Sequence, residues 1–224
     1  MGYYEYEWAV PPPVPDTPPD PKYGPEAARL ARDLRTRVEV AEPEITHMML
    51  DIADSNAATM EQLEYRLKST ESLARKIHDT GVSTFNGDLS KAASAIDDAV
   101  RYTMVVDDGK YVRTVQNIDS TFEGAGYVLF NKNYWQPGDA YDGMNIKLTK
   151  AGITAELQLL TPESLDAKEH THANYETYRD PTQPIAARKE AWDSMVAYAA
   201  KTPRPQPYQT LMNIGTLAFE KPNW

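Results

Sequence analysis

Residues 153–161, ITAELQLLT, set the tightest limit on what this chain can become. Ile153, Ala155, Leu157 and Leu159 share one parity, and Glu156 and Gln158 share the other. Successive strand side chains point to opposite faces. The pattern therefore predicts a strand anchored in a core by one face and carrying a carboxylate and an amide on the other. The preceding GMNIKLTK (143–150) reads as a second strand, and Lys150–Ala151–Gly152 fits a tight hairpin turn between the two.

Around this hairpin the pattern alternates. VRYTMVV (100–106) and GYVLFNKNYW (126–135) are β-branched and aromatic runs typical of strands. Helices are predicted over 26–41 and from Pro43 to 56, each close to a proline suited to a first turn. Residues 58–79 predict helix, then strand or turn at EYRLKS (64–69), then helix with Ser69 or Thr70 as N-cap. Further helices are predicted at ASAIDDA (93–99), 110–125, 162–179, 184–201 and 207–221. No internal repeat is present. The sum is an α+β fold, with a mixed, largely antiparallel central sheet flanked by helices.

The 224 residues suffice for one substantial domain, expected over 25–224 behind a proline-rich flexible leader at 1–24. No apolar run is long enough to span a membrane, and MGYYEYEWAV lacks the features of a secretory signal. The absence of cysteine excludes disulfides, thiol catalysis and thiolate metal sites. A net charge of −10 argues against broad attraction to nucleic acid but leaves room for a local basic patch.

Four stretches carry chemistry-bearing residues. In EYRLKSTESLARK, the spacing of Arg66 and Lys68 lets both project from one strand face. Ser69 and Ser72 sit where a helix begins, and Arg75 and Lys76 follow a turn later. Cations converging with helix N-terminal amides form a polyphosphate cradle, although a solvated basic face has the same composition. Asp97 and Asp98 precede an apolar strand, where a carboxylate can hold a metal or simply end a turn. In GDAYDGMNIKLT, Tyr141 stands by a flexible Asp142–Gly143 turn, before a strand carrying Asn145. Its ring could stack on a base or pack internally. Finally, Lys168, His172, Tyr175 and Arg179 fall on one stripe of a helix running through 162–179. His170 and His172 face different ways on that helix, so a zinc site is not expected. Nor is there a P-loop, a dinucleotide fingerprint or a Gly-x-Ser-x-Gly elbow.

In this order the four stretches resemble the RelA/SpoT synthetases, which are nucleotide pyrophosphokinases of nucleotidyltransferase-like fold. The match runs over roughly residues 40–180. RLKSTESLARK resembles the segment that grips the donor ATP phosphates, which implies that role for Arg66, Lys68, Ser69, Ser72, Arg75 and Lys76. DAVRYTMV is similar to the strand whose leading aspartate holds Mg²⁺, here Asp98. AYDGMNIKL resembles the acceptor loop, implying Tyr141 as the base-stacking ring and Asn145 as a polar neighbour. AELQLLT resembles the strand bearing the second catalytic and metal-holding carboxylate, Glu156, with Gln158 beside it. HANYETYR resembles the following helix, placing His172 near the donor phosphates and Tyr175 near the acceptor.

The departures matter. Ala140 replaces a glycine, and Asp142, Leu160 and Thr103 stand at arginine positions. The details look most like the toxic small synthetases of toxin–antitoxin, phage-defence and secreted-effector systems. The resemblance implies transfer of the β,γ-pyrophosphate of ATP to the 3′-hydroxyl of a purine nucleotide, giving a (p)ppApp or (p)ppGpp type product. The tRNA 3′-CCA end is the alternative acceptor, and an inactive binding module of the same fold is a further one. It also implies Mg²⁺ as cofactor and an antitoxin or immunity protein as partner. The site of action is expected to be a cytoplasm, the protein's own or that of a cell into which it is delivered. No hydrolase domain precedes the synthetase, so the chain is expected to make its product and not degrade it.

Overall fold

A computed structural model describes residues 10–217. Strands β1 (Thr59–Glu61), β2 (Val100–Val105), β3 (Val128–Asn133), β4 (Met144–Lys150), β5 (Ile153–Leu160) and β6 (Thr216–Leu217) form one sheet in the order β1-β2-β5-β4-β3-β6. The β2/β5 and β3/β6 pairs are parallel and the other three antiparallel. The predicted hairpin is β4–β5. Ala151 (φ 51°) and Gly152 (φ 75°) both take the left-handed conformation that a two-residue turn of this twist demands.

Ala155, Leu157 and Leu159 are fully buried, and each leucine contributes about 1.5–3 kcal/mol by leaving water. A one-residue slip of β5 would drive Glu156 and Gln158 into that core, so the register is fixed by the alternation. Two long helices cover this apolar face, α1 (Gly24–Asn56) and α4 (Asp108–Gly124). Tyr111 of α4 donates its hydroxyl to the Leu159 carbonyl at 2.6 Å and meets Trp135 edge-on at 5.4 Å.

Several elements differ from expectation. The two predicted N-terminal helices are one, because Ala27, Ala31, Leu34, Val38, Ile45, Met49 and Ile52 keep a single buried stripe on both sides of Pro43. That burial outweighs the backbone hydrogen bond the proline cannot make. Residues 59–61 pair with β2 instead of forming helix. The short helix α3 (Leu89–Ser94) starts on Asp88 and ends before Asp97 and Asp98, which therefore lie in the connection to β2. The predicted helix over 162–179 is two, α5 (Pro162–His170) and α6 (His172–Arg179), divided at Thr171, whose hydroxyl bonds back to the Ala167 carbonyl at 2.7 Å. After α7 (Ile185–Ala199), the described part of the last predicted helix, 207–217, is helical only over Tyr208–Leu211, as α8. Gly215 (φ 74°) then lets the chain lie against β3, since a Cβ there would collide with the Asn131 backbone. The rest of that predicted helix, 218–221, lies outside the described residues, as do 1–9 of the leader.

The leader between 10 and 20 is fastened to the domain. Val14 N donates to the Glu64 carbonyl (2.9 Å), and Asp16 accepts from both the amide (2.7 Å) and the hydroxyl (2.8 Å) of Thr70. Among the described residues, no helix is long and apolar enough to cross a membrane.

Candidate active site

Residues directly opposed across strands share a face. On the face away from α1 and α4, register builds two rows. One runs Phe130 (β3), Lys147 (β4), Glu156 (β5), Arg101 (β2), and the other Lys132, Asn145, Gln158, Thr103. Neighbouring strands are about 4.8 Å apart, so each row places four side chains within one nucleotide's reach.

Glu156 is buried at the centre of the first row. Its Oε1 accepts from Lys147 Nζ (2.7 Å) and Asn145 Nδ2 (3.3 Å), and Oε2 has no hydrogen-bond partner among the described residues. Lys147 also pairs with Asp97 at 3.1 Å. Burial works against the Lys147 charge, but Glu156 and Asp97 outweigh it and raise the ammonium above its usual range. Tyr141 donates its hydroxyl to Asn145 Oδ1 at 3.1 Å and packs edge-on to Tyr134 at 5.1 Å. Burial, with Tyr111 and Glu156 beside it, pushes that hydroxyl well above its usual value, so it stays a donor. Gly143 permits this packing: a Cβ there would stand 2.7 Å from the Leu160 side chain and 3.0 Å from the Tyr141 hydroxyl.

A second cluster adjoins the β2 end of the face. The backbone runs beside β2 here, with Lys68 N donating to the Ala99 carbonyl (3.0 Å) and Arg101 N to that of Arg66 (2.8 Å). Lys68 and Lys76 both grip Asp98, at 2.7 and 2.8 Å. Burial opposes ionisation of Asp98, yet the two ammonium groups win and hold its carboxyl far below the ordinary range. From α5, Lys168 donates to Gln158 Oε1 at 2.8 Å. Burial, with Arg101 nearby, lowers Lys168 to about 8.

Of the residues expected here, the structure brings together Lys68, Lys76, Asp98, Glu156, Gln158, Asn145 and Tyr141. Arg66 is turned away. Its backbone is helical (φ −62°, ψ −25°) and not extended, so it does not share a face with Lys68. It is buried, donating to Glu42 (2.6 Å) and to the carbonyls of Pro11 and Leu63. Ser69 is the N-cap of α2 (Thr70–Thr84), and its hydroxyl accepts from Ser72 N at 3.2 Å. With Asp16 on Thr70 N and the Thr17 carbonyl on Glu71 N (2.9 Å), the first three amides of α2 all have partners within the chain. Donor phosphates would therefore meet side chains here and not helix amides. Arg75 is exposed on α2. Division at Thr171 breaks the expected stripe: His172, Tyr175 and Arg179 belong to α6, where all three are exposed. Arg179 lies over the Tyr175 ring at 5.6 Å.

Three contributors were not singled out from sequence. Lys147 and Arg101 flank Glu156, and Asp97, seen only as half of an acidic pair, is the aspartate that shares Lys147 with it. Parity with Asn145 was the available signal for Lys147.

Glu156, with Oε2 unpaired among the described residues, is a carboxylate of the kind a magnesium ion takes, whereas both oxygens of Asp98 are held by Lys68 and Lys76. Mg²⁺ takes one or two carboxylates and completes its shell with water and phosphate. Among the described residues, no group of three or more His, Cys, Asp and Glu forms a richer metal cage.

No family model matches the sequence, and no curated protein does. Among solved structures, the Type VI effector Tas1, in complex with its immunity protein, aligns with a TM-score of 0.49 at 22% identity, over 75% of this chain and 93% of that one. Small alarmone synthetase 1 from Bacillus subtilis, bound to its product pppGpp, gives 0.48 at 14% identity, over 80% and 92%. A GTP pyrophosphokinase family protein from Streptococcus pneumoniae gives 0.46 at 15%, over 75% and 85%. The chain is similar in structure to these proteins. That likeness concerns overall shape, and what the site can do follows from its own side chains.

Proposed function

We propose that the chain is a nucleotide pyrophosphokinase, moving the β,γ-pyrophosphate of ATP to the 3′-hydroxyl of a purine nucleotide. One observation carries this reading: Glu156 sits at the centre of a sheet face, with cations Lys68, Lys76, Lys168 and Arg101 gathered to one side and Lys147 and the exposed Phe130 on the other. In the proposed reaction the acceptor oxygen bonds to the β-phosphorus as the bond from the α,β-bridging oxygen to that phosphorus breaks. AMP leaves with the bonding pair. Glu156 takes the proton of the 3′-hydroxyl, its carboxylate held by Lys147 and Asn145. The cations hold the donor phosphates and offset the charge that develops in transfer. Glu156 would hold Mg²⁺, which supplies charge neutralisation on the donor phosphates when bound. Consumption of ATP and nucleotide makes toxicity, and a neutralising protein partner, part of the same reading.

A second acceptor, the tRNA 3′ end, draws support from α6 and α7, where Arg179 lies over Tyr175 (5.6 Å) and Tyr178 packs on Trp192 (5.0 Å). Rings beside arginines suit unpaired bases. Incubating the protein with γ-labelled ATP, Mg²⁺ and GDP, ADP or tRNA separately tests the reading. Label in a nucleotide supports the first acceptor class and label in tRNA the second. No labelled product with any acceptor points to a binding module of the same fold.

A further inference from the structure

We propose that Phe130 is a stacking platform for the acceptor's purine ring, and that it helps set which nucleotide the site takes. The inference rests on the pyrophosphokinase reading above. Strand β3 has its polarity inverted in part: Leu129 still faces the core and Lys132 the outside, but the other four positions are exchanged. Asn131 and Asn133 are turned inward and buried, bonded to Asp119 (3.0 Å) and to the Leu211 carbonyl, while Val128 and Phe130 face outward, 72% and 50% exposed. A strand with one solvated face normally carries its polar residues there. The outward ring is also in the row that ends on the candidate base: Phe130 opposes Lys147, which opposes and binds Glu156.

The two ends of that row differ in chemistry. Arg101, with Lys68, Lys76 and Lys168 nearby, suits the donor's phosphates. Phe130, with Lys132 two residues along the same face, offers an apolar ring for a base and a cation for an acceptor phosphate. Glu156 lies between them, where the 3′-hydroxyl of a nucleotide stacked on Phe130 would meet the donor. Tyr141 stands by the second row, where its hydroxyl holds Asn145, which in turn binds Glu156.

The test compares wild type, Phe130→Ala, Phe130→Trp and Val128→Ala in the full chain. Each is titrated calorimetrically with ATP, GDP and ADP, and its mass is measured by light scattering. Phe130→Ala is expected to lose about 5- to 150-fold in affinity for the acceptor nucleotide, the cost of removing one base–aromatic stack, with ATP affinity unchanged. Phe130→Trp and Val128→Ala are expected to bind as wild type does. Wild-type acceptor binding by Phe130→Ala overturns the inference and leaves the pyrophosphokinase reading standing. If Phe130→Ala instead alters only the oligomeric state, the ring is a subunit contact and the inference is likewise overturned. A wild-type protein that binds ATP but neither GDP nor ADP overturns the inference and the nucleotide-acceptor reading together.

Discussion

Asp142 should destabilise this protein at alkaline pH, and replacing it with asparagine should show by how much. The residue stands in the loop between Tyr141 and β4, 4% exposed, with Oδ2 unpaired. Burial raises its carboxyl from 3.8 to about 7, Arg204 and Thr202 offsetting only part of that rise. A carboxyl raised in the folded state contributes no penalty below the unfolded value and costs stability as pH climbs to the folded one. At ~1.4 kcal/mol per tenfold change, the cost at pH 8 is on the order of 4 kcal/mol, and at pH 4 only about 0.5 kcal/mol. Asp142→Asn removes the charge and nearly keeps the shape. Urea unfolding should find the variant more stable by about 2–4 kcal/mol at pH 8 and close to wild type at pH 4. An equal effect at both pH values, or a less stable variant at pH 8, would refute the reasoning.

Arg66→Ala should leave Glu42 buried without its counter-charge, held by the Thr46 hydroxyl alone among the described residues, and cost about 3–5 kcal/mol in urea unfolding. A variant as stable as wild type but defective in ATP binding would return Arg66 to the donor site. Lys168, lowered to about 8, carries its charge below that pH and loses it above. The KM for ATP should therefore rise between pH 7 and 9.5 in wild type and stay flatter in Lys168→Arg, whose guanidinium does not titrate there. Identical pH profiles would remove Lys168 from the donor end.

What the sequence made legible was whatever depended on local alternation. The β4–β5 hairpin was readable down to its register: with a two-residue turn at Ala151–Gly152, Lys150 opposes Ile153 and Lys147 must oppose Glu156. Lys147, Asn145 and Gln158 fall beside Glu156 for the same reason, since short spacings along extended chain fix a face, whereas Asp98, read as helical, lies in the connection before β2. Arg66 escaped this logic because a single turn of 3₁₀ helix at Leu63–Tyr65 breaks the alternation just before Lys68. The stripe through Lys168 and His172 failed at Thr171, where a side-chain hydrogen bond to the preceding turn ends α5. Asp16 capping α2 was beyond local reading altogether, since it joins positions 54 residues apart. Nor could parity alone show that β3 points its asparagines inward, because Asp119 on α4 and the Leu211 carbonyl are what satisfy them.

The central claim is that Glu156 serves pyrophosphate transfer from the middle of a two-ended site. The most direct measurement incubates wild type and Glu156→Gln with Mg²⁺ and an acceptor nucleotide, supplying ATP labelled at the γ-phosphate in one set and the α-phosphate in the other. The wild-type protein should move the γ label into the acceptor and leave the α label in AMP, while Glu156→Gln, still folded by circular dichroism, transfers neither. Undiminished transfer by Glu156→Gln, or α label appearing in the acceptor, would contradict the account.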